Sequence, residues 1–348
     1  MLSERELHRY SRHIILDAFG LSAQQKLKSA TVLVIGCGGL SHPALQYLNA
    51  AGVGTIKWVD ADRVDPSNLQ RQILFDESDQ GRYKVDVAAE KLAKQNPWTH
   101  LVPIRSNFNA DNALALLEGV DVVIDGCDNF ATRYLVNDAC IIRGVPFVYG
   151  AIFKFSAQVS VFNHQGGPSY RCLYPEPPEA GEMPGCGEIG VLGVVPGLAG
   201  SLQALEAIKV ITGVGNPLSG KLWCADFLTN VHQVFEIERM EQNFQITQLS
   251  DSANYCIFNF ESINYDDYLN LKEKCILIDV RSEQEHQQQN IGGINVPVER
   301  WPAAFDDLQL DPIIPVILHC KSGIRAKRVA QLSIWNGFQV KVLEGLPL

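Results

Sequence analysis

The sequence predicts an α/β protein: a doubly wound, mostly parallel sheet followed by a second, smaller α/β unit. Three observations carry this. Through the first 151 residues, short apolar runs alternate with stretches of helical periodicity, the pattern of strands buried on both faces and joined by crossover helices. A glycine turn, Gly36-Cys37-Gly38-Gly39-Leu40-Ser41, follows the first apolar run. At 348 residues the chain is also longer than one hydrophobic core ordinarily organises.

Leu7 to Leu16 reads as an N-terminal helix carrying Arg9, Arg12 and His13. Thr31 to Gly36 is a buried strand, Pro43 to Ala51 a helix stopped by Gly52, and Thr55 to Asp60 the next strand. Lys84 to Gln95 has helical periodicity. Val120 to Asp125 is a further strand with a helix after it through Arg143, and Pro146 to Ala151 is another strand. Beyond residue 151 the pattern changes. Gln158 to Phe162 alternates as an antiparallel strand does, Tyr174 to Gly190 is a Pro- and Gly-rich loop, Val195 to Thr212 is helical, and Lys221 to Phe227 with Val231 to Ile237 form a hairpin. Polar residues from Met240 to Tyr255 mark a linker. A second unit follows, with a helix over Tyr265 to Leu271, strands over Ile276 to Val280 and Ile313 to His319, and a helix over Ala326 to Trp335.

Composition narrows the function. The net charge of -10 argues against nonspecific nucleic-acid binding, which depends on Lys and Arg density. The N-terminus has no apolar signal core, and no uninterrupted apolar run approaches the ~20 residues of a membrane span. No nucleic-acid or membrane partner is expected. Nine cysteines, an odd number without an export signal, suit reduced thiols in the cytoplasm better than a disulfide framework.

The glycine turn offers backbone N–H groups at a helix N-terminus, a setting suited to phosphates. A dinucleotide fingerprint wants a third glycine where Ser41 stands; Ser41 is a candidate cap for the helix, with Pro43 in its first turn. Asp60 ends the second strand, where a carboxylate accepts from ribose hydroxyls. Downstream lie Asp62, Asn68, Arg71 and Lys84, then Asp125-Gly126-Cys127-Asp128-Asn129. Two cations and a strand-end carboxylate suit a triphosphate with Mg²⁺, held by Asp128, better than they suit hydride transfer.

Here the chain resembles the MoeB/ThiF/HesA family of activating enzymes for ubiquitin-like proteins. The motifs are Arg9-Tyr10-Ser11-Arg12-His13-Ile14, the glycine turn, Ser67-Asn68-Leu69-Gln70-Arg71-Gln72, Asp128-Asn129-Phe130 with Arg133, Val148-Tyr149-Gly150-Ala151, Gly190-Val191-Leu192-Gly193 and Gly200-Ser201-Leu202-Gln203-Ala204. The resemblance implies a Rossmann-like adenylation domain over residues 1–240. It also implies ATP and Mg²⁺ as cofactors, and as partner a ubiquitin-like sulfur carrier whose C-terminal Gly-Gly carboxylate is adenylated. Carried over by position, Gly36, Gly38, Gly39, Asp60, Asp62, Asn68, Arg71, Lys84, Asp128 and Asn129 bind the nucleotide. Arg12 matches an arginine that reaches the neighbouring protomer's site, which implies a homodimer. The chain departs from the family at Ser41, where a glycine is usual, and His42 follows it as a first-turn helix residue. Many relatives hold structural zinc with two Cys-x-x-Cys pairs. The matching segments here, Ser169-Tyr170-Arg171-Cys172 and Ala253-Asn254-Tyr255-Cys256, each lack the first cysteine, so no tightly bound zinc is expected.

Two cysteines are candidate nucleophiles. Cys186, in Pro184-Gly185-Cys186-Gly187, matches the position from which relatives bond the activated carrier. Cys320 lies in Cys320-Lys321-Ser322-Gly323-Ile324-Arg325, between an apolar strand and a helix; backbone N–H groups and Arg325 there favour a thiolate or persulfide. With Leu277-Ile278-Asp279-Val280-Arg281, Glu285-His286 and Ile291 to Pro297, the region 261–348 resembles a rhodanese sulfurtransferase, joined through a linker at 241–260. In that reading Cys320 carries persulfide supplied by a cysteine desulfurase, while Asp279 and Arg281 are structural. The combined expectation is carrier adenylation followed by sulfur transfer, giving a thiocarboxylate that feeds molybdopterin, thiamine or thiolated-tRNA synthesis. Three rivals remain at this point: a non-catalytic carrier-binding scaffold with a sulfur-relay tail, an NAD-dependent oxidoreductase, and an activator that passes on a Cys186 thioester.

Overall fold

The strand order His100–Ile104, Thr55–Val59, Thr31–Ile35, Val122–Asp125, Phe147–Phe153, Ser156–Phe162, Lys221–Asp226, Val231–Glu236 places the chain's first strand, Thr31–Ile35, inside a sheet that grows outward from it in both directions. In the computed structural model the described residues are 2–176, 190–249, 261–321, 323–330, 332, 335 and 337–343. They fall into two units, one up to residue 249 and one from residue 261. The first runs α1 (Glu4–Arg9), α2 (Ser11–Ile14), α3 (Gly20–Ser29), β1 (Thr31–Ile35), α4 (Ser41–Ala51), β2 (Thr55–Val59), α5 (Lys84–Gln95), β3 (His100–Ile104), α6 (Ala113–Leu116), β4 (Val122–Asp125), α7 (Phe130–Arg143), β5 (Phe147–Phe153), β6 (Ser156–Phe162), α8 (Tyr170–Leu173), α9 (Val194–Thr212), β7 (Lys221–Asp226) and β8 (Val231–Glu236).

Strands β3 to β5 pair in parallel, and β5 through β8 pair antiparallel. The doubly wound, mostly parallel sheet is therefore as expected. Because β2 leaves β1 on one side and β4 lies on the other, the chain reverses direction across the sheet at β1/β4. The carboxyl ends of the strands at such a switch point are where open α/β sheets bind ligands. Val32, Leu33, Val34, Val122, Val123 and Ile124 are fully buried, as strands covered on both faces must be.

Local chemistry sets the helix ends. Gly52 terminates α4 in the left-handed region at φ +84°. Asn129 caps α7 by accepting from the Thr132 N–H at 2.8 Å. The single N-terminal helix expected over Leu7 to Leu16 is instead two, because Tyr10 leaves helical geometry. It is buried with its hydroxyl accepting from Asn96 Nδ2 at 2.9 Å. Helix α9 is long and apolar enough to cross a membrane by length and composition alone; here it packs on α4 and β5.

The second unit contains β9 (Glu261–Ile263), α10 (Tyr265–Leu271), β10 (Ile276–Asp279), α11 (Glu283–Gln288), β11 (Ile294–Asn295), β12 (Val316–His319), α12 (Ile324–Ala330) and β13 (Val340–Leu343). Its sheet has the order β11-β10-β12-β13-β9, parallel throughout. The sequence reading finds only β10 and β12 of these five strands. Of the expected Tyr174 to Gly190 loop, residues 177–189 lie outside the described residues, as do 250–260 of the linker.

Candidate functional site

The glycine turn is the fixed point of the first unit. Gly36 adopts φ +86°, and a Cβ on it would lie 2.9 Å from the Gly126 carbonyl oxygen. Glycine at 36 thus lets the ends of β1 and β4 approach. Asp60 clamps this turn: Oδ2 accepts from the Cys37 N–H and Oδ1 from the Asp62 N–H, each at 2.7 Å. Burial pushes the Asp60 carboxyl above its usual range, and the Lys84 charge opposes that. Lys84 is almost wholly buried and donates to Asp62 Oδ2 at 2.8 Å, while Asp62 stays exposed. Arg71 lies along the turn, since a Cβ on Gly39 would sit 3.4 Å from Arg71 Cγ. Its Nη1 donates to the Ser67 carbonyl at 3.0 Å, on the same short turn as half-buried Asn68.

Asp128 is exposed where β4 passes into α7, and its Oδ1 accepts from Asn129 Nδ2 at 3.3 Å. Gly36, Gly39, Asp60, Asp62, Arg71 and Lys84 therefore cluster on one side of the switch point, with Asp128 and Asn129 on the adjoining strand end. Arg12, on α2, is exposed and is not joined to this cluster; it makes no hydrogen bond or ion pair among the described residues. Cys186 lies outside the described residues.

Ser41 does not cap α4. The cap position is Leu40, without a side-chain bond, and Ser41 Oγ is buried with no partner. A Cβ on Gly126 would meet that Oγ at 2.2 Å, so glycine at 126 makes room for serine at 41. His42 is in the first turn, as expected, and fully buried. Its Nδ1 accepts from the Leu74 N–H at 2.9 Å and its Nε2 faces the Cys37 carbonyl at 3.2 Å. Burial drives its pKa down to about 3, so a neutral ring ties the glycine turn to the segment after Arg71.

The sequence reading assigned no site role to Arg133, yet it organises the loop that presents Asp128. It is buried, with Nε 2.8 Å from Asp125 Oδ2 and Nη2 donating to the Cys127 and Gly150 carbonyls at 2.9 and 3.2 Å. Gln203 Nε2, from α9, donates to the Asp125 and Val148 carbonyls at 2.7 and 3.1 Å. An arginine one turn into a helix that follows an Asp-ended strand is the only sequence signal for this, and surface arginines share it.

A second convergence surrounds Cys172. Its Sγ accepts from the Ser169 N–H at 3.4 Å, the Met240 N–H at 3.3 Å and Asn243 Nδ2 at 3.6 Å, and Ser169 Oγ lies 3.4 Å away. Burial pushes this thiol up, and the hydrogen bonds outweigh it, leaving the pKa below the ordinary value. Met240 and Asn243 share the three-residue spacing of Ser169 and Cys172 and meet them in space. The expected partner segment, 253–256, lies outside the described residues. Among the described residues no group of three or more His, Cys, Asp or Glu side chains is placed to hold a metal ion.

In the second unit Cys320 is buried directly after β12. Gly323 turns the loop at φ +82°, and the Lys327 N–H donates to its carbonyl at 2.9 Å to start α12. Arg325, in the first turn of α12, is near enough to Cys320 for their charges to interact. It also donates to both oxygens of Glu285, at 2.7 Å each. Asp279 holds Arg281 at 2.9 and 2.7 Å and His286 Nδ1 at 2.8 Å. Burial raises the Asp279 carboxyl, and the Arg281 and His286 bonds more than reverse that. His319 is buried, with neither ring nitrogen hydrogen-bonded among the described residues and Nε2 3.8 Å from Asp279 Oδ2, and burial lowers its pKa to about 4.

Comparison with known proteins gives these two arrangements a lineage. The ThiF family model matches residues 10–246, more than half the chain. The chain belongs to the ThiF family. A rhodanese-like domain model matches residues 265–345. MoeZ of Mycobacterium tuberculosis, named a probable adenylyltransferase/sulfurtransferase, is 39% identical over 342 residues, covering 93% of this chain and 87% of that protein. The sulfur carrier protein adenylyltransferase of Thermus thermophilus is 48% identical over 231 residues, 65% of this chain and 85% of its own length. The adenylyltransferase and sulfurtransferase MOCS3 of Culex quinquefasciatus is 38% identical over 324 residues, 86% of this chain and 74% of its own. Among solved structures, Escherichia coli MccB with MccA-N7isoASN superposes with a TM-score of 0.62 at 24% identity, covering 69% of this chain and 75% of that one. That likeness speaks to the fold.

Proposed function

We propose that this ThiF-family protein adenylates the C-terminal Gly-Gly carboxylate of a ubiquitin-like sulfur carrier with ATP and supplies the sulfur that converts it to a thiocarboxylate. The observation that carries the first step is the cluster at the switch point. Lys84 is held near the glycine turn by a single exposed carboxylate, so a phosphate can take its place. Arg71 lies along the same turn, and Asp60 retains acceptor capacity for a ribose hydroxyl. Asp128, an exposed carboxylate beside them, fits a hard cation that takes oxygen ligands. Bound with ATP, Mg²⁺ would neutralise phosphate charge, and Asp128 would hold it. The carrier's carboxylate oxygen then attacks the α-phosphorus and pyrophosphate leaves, so an inert acid becomes an acyl-adenylate. The NAD-dependent reading gives no role to the Arg71, Lys84 and Asp128 set.

Cys320 supports the second step. Its persulfide sulfur forms a bond to the acyl carbon as AMP departs; a thiol then attacks the Cys320 sulfur, releasing the thiocarboxylate and leaving a disulfide. Cys186 is the proposed thiol. A cysteine desulfurase is the proposed sulfur source, and reduced cytoplasm the proposed setting.

A homodimer is part of the proposal. Val194, Leu198 and Leu205 of α9 are exposed at spacings of four and seven residues, which puts them on one helical face. A second copy covering this stripe, with Arg12 lent to its neighbour's site, accounts for both features. The decisive test is intact mass of each Gly-Gly carrier after incubation with ATP and a persulfide donor. Replacement of one oxygen by sulfur is expected; an unmodified carrier in every case refutes the function.

A further inference from the structure

Glu285 performs two tasks at once in the second unit. As the third residue of α11 it closes a capping box: the Ser282 N–H and hydroxyl donate to its Oε2 at 3.1 and 3.0 Å, and its own N–H donates to Ser282 Oγ at 3.3 Å. The same carboxylate receives Nη1 and Nη2 of Arg325 in a two-pronged pair, each at 2.7 Å. Arg325 is the leading reason that Glu285 titrates at about 2. A helix cap needs no arginine, so the second contact calls for its own explanation.

The platform beneath Glu285 is rigid. His286, its neighbour, bonds Asp279 at 2.8 Å. Arg281, paired with that same Asp279, donates to the Gln289 carbonyl at the end of α11 at 2.6 Å. Helix α11 is thus fastened to the end of β10 at its middle and its close. On the other side of the pair, Arg325 sits in the first turn of α12, five residues after the buried Cys320 and on the loop that Cys320 opens, close enough for the two groups to interact electrostatically. An arginine has five N–H donors in a planar fork. Fixing two of them on a carboxylate fixes the direction of the rest, whereas an untethered side chain spreads its charge over many rotamers.

We propose that Glu285 is a positioning residue for sulfur transfer: it orients Arg325 so that the guanidinium presents an N–H to the Cys320 sulfur. This rests on Cys320 being the persulfide carrier. The full-length chain is assayed with thiosulfate as donor and cyanide as acceptor. In parallel, alkylation of Cys320 by iodoacetamide is followed against pH on the Cys320 peptide by mass spectrometry. Glu285→Gln is expected to lower kcat on the order of 10-fold, as loss of orientation does, with KM nearly unchanged, and to move the alkylation profile to higher pH. Ser282→Ala removes the capping box partner alone and is expected to lower the melting temperature without moving kcat or the profile. Arg325→Lys keeps a charge but lacks the fork; it is expected to reproduce Glu285→Gln and carries the test should Glu285→Gln fail to fold. Combined with Arg325→Ala, Glu285→Gln is expected to add no further loss. Losses that multiply in the double variant, a Glu285→Gln phenotype equal to that of Ser282→Ala, or a profile shifted to lower pH, as loss of a negative charge alone would give, overturn the proposal. A wild-type chain that moves no sulfur refutes the Cys320 reading instead, while the alkylation profile still decides the role of Glu285.

Discussion

The two units hold their charged groups in opposite ways. At the switch point of the first, the groups are gathered but uncommitted: Asp62 and Asp128 face solvent, and Lys84 has a single exposed partner. Asp62 is the exposed half of its pair with Lys84, so an incoming phosphate can take its place while Asp62 returns to water. Around Cys320 two arginines are already committed. Arg325 holds Glu285 and Arg281 holds Asp279 before any ligand arrives. The first arrangement suits a site that must admit a large, highly charged substrate and release it. The second suits a site that must keep one small sulfur anion in place between reactions.

Four changes would break or sharpen that contrast, taken from the largest effect downward. Lys84→Ala or Asp128→Ala is expected to lower carrier-dependent ATP–pyrophosphate exchange by about 10²–10³, the usual cost of losing a charged group aimed at a transition state. Persulfide loading of Cys320, read by mass, is expected to persist in both. Loss of loading in these variants would mean the units do not work separately. Arg133→Ala leaves Asp125 buried without its cation, and denaturant unfolding is expected to show a loss of about 3–5 kcal/mol. A stability equal to the parent's would remove Arg133 from the scaffold of the nucleotide site.

Acid should strain both units through buried histidines. His42 and His319 have folded pKa values of about 3 and about 4, below the ordinary 6.5 or so. Neither contributes above pH ~6.5. As pH falls below that, the unfolded chain binds protons the folded chain refuses, and stability drops by about 1.4 kcal/mol per pH unit for each histidine, down to the folded values. Melting curves of His42→Gln should show a shallower acid slope, and an unchanged slope would contradict the assignment. The smallest effect is at Cys172, where replacement by Ala removes a shared acceptor. A loss of about 1–3 kcal/mol is expected, with no response of the parent's melting temperature to a metal chelator. A chelator-induced drop would place a metal there.

Much of the first unit is readable in sequence because its signals are local. The apolar run ending in Gly36, the αL glycine at 52 and the Asn129 cap each act within a few residues. The edge strand His100–Ile104 is not readable: it carries a proline, and its residues are exposed or half-buried rather than cleanly alternating. Strands β9, β11 and β13 span two to four residues, too short for any periodicity. Tyr10, where the N-terminal helix breaks, is held by Asn96, far along the chain. Ser41 misleads for a similar reason, since the space that buries its hydroxyl is made by Gly126. The candidate nucleotide residues carry charges and motif spacing that a sequence displays. Glu285 and the Cys172 clasp depend on side chains meeting from distant segments, and neither Met240 nor Asn243 advertises a role at a sulfur.

The most direct test places Asp128→Ala and Cys320→Ser side by side in carrier-dependent pyrophosphate exchange with ATP. The account predicts exchange lowered by about 10²–10³ in the first and retained at the parent's level in the second, because activation belongs to the switch-point cluster and sulfur to the buried cysteine. Near-parental exchange by Asp128→Ala would contradict it.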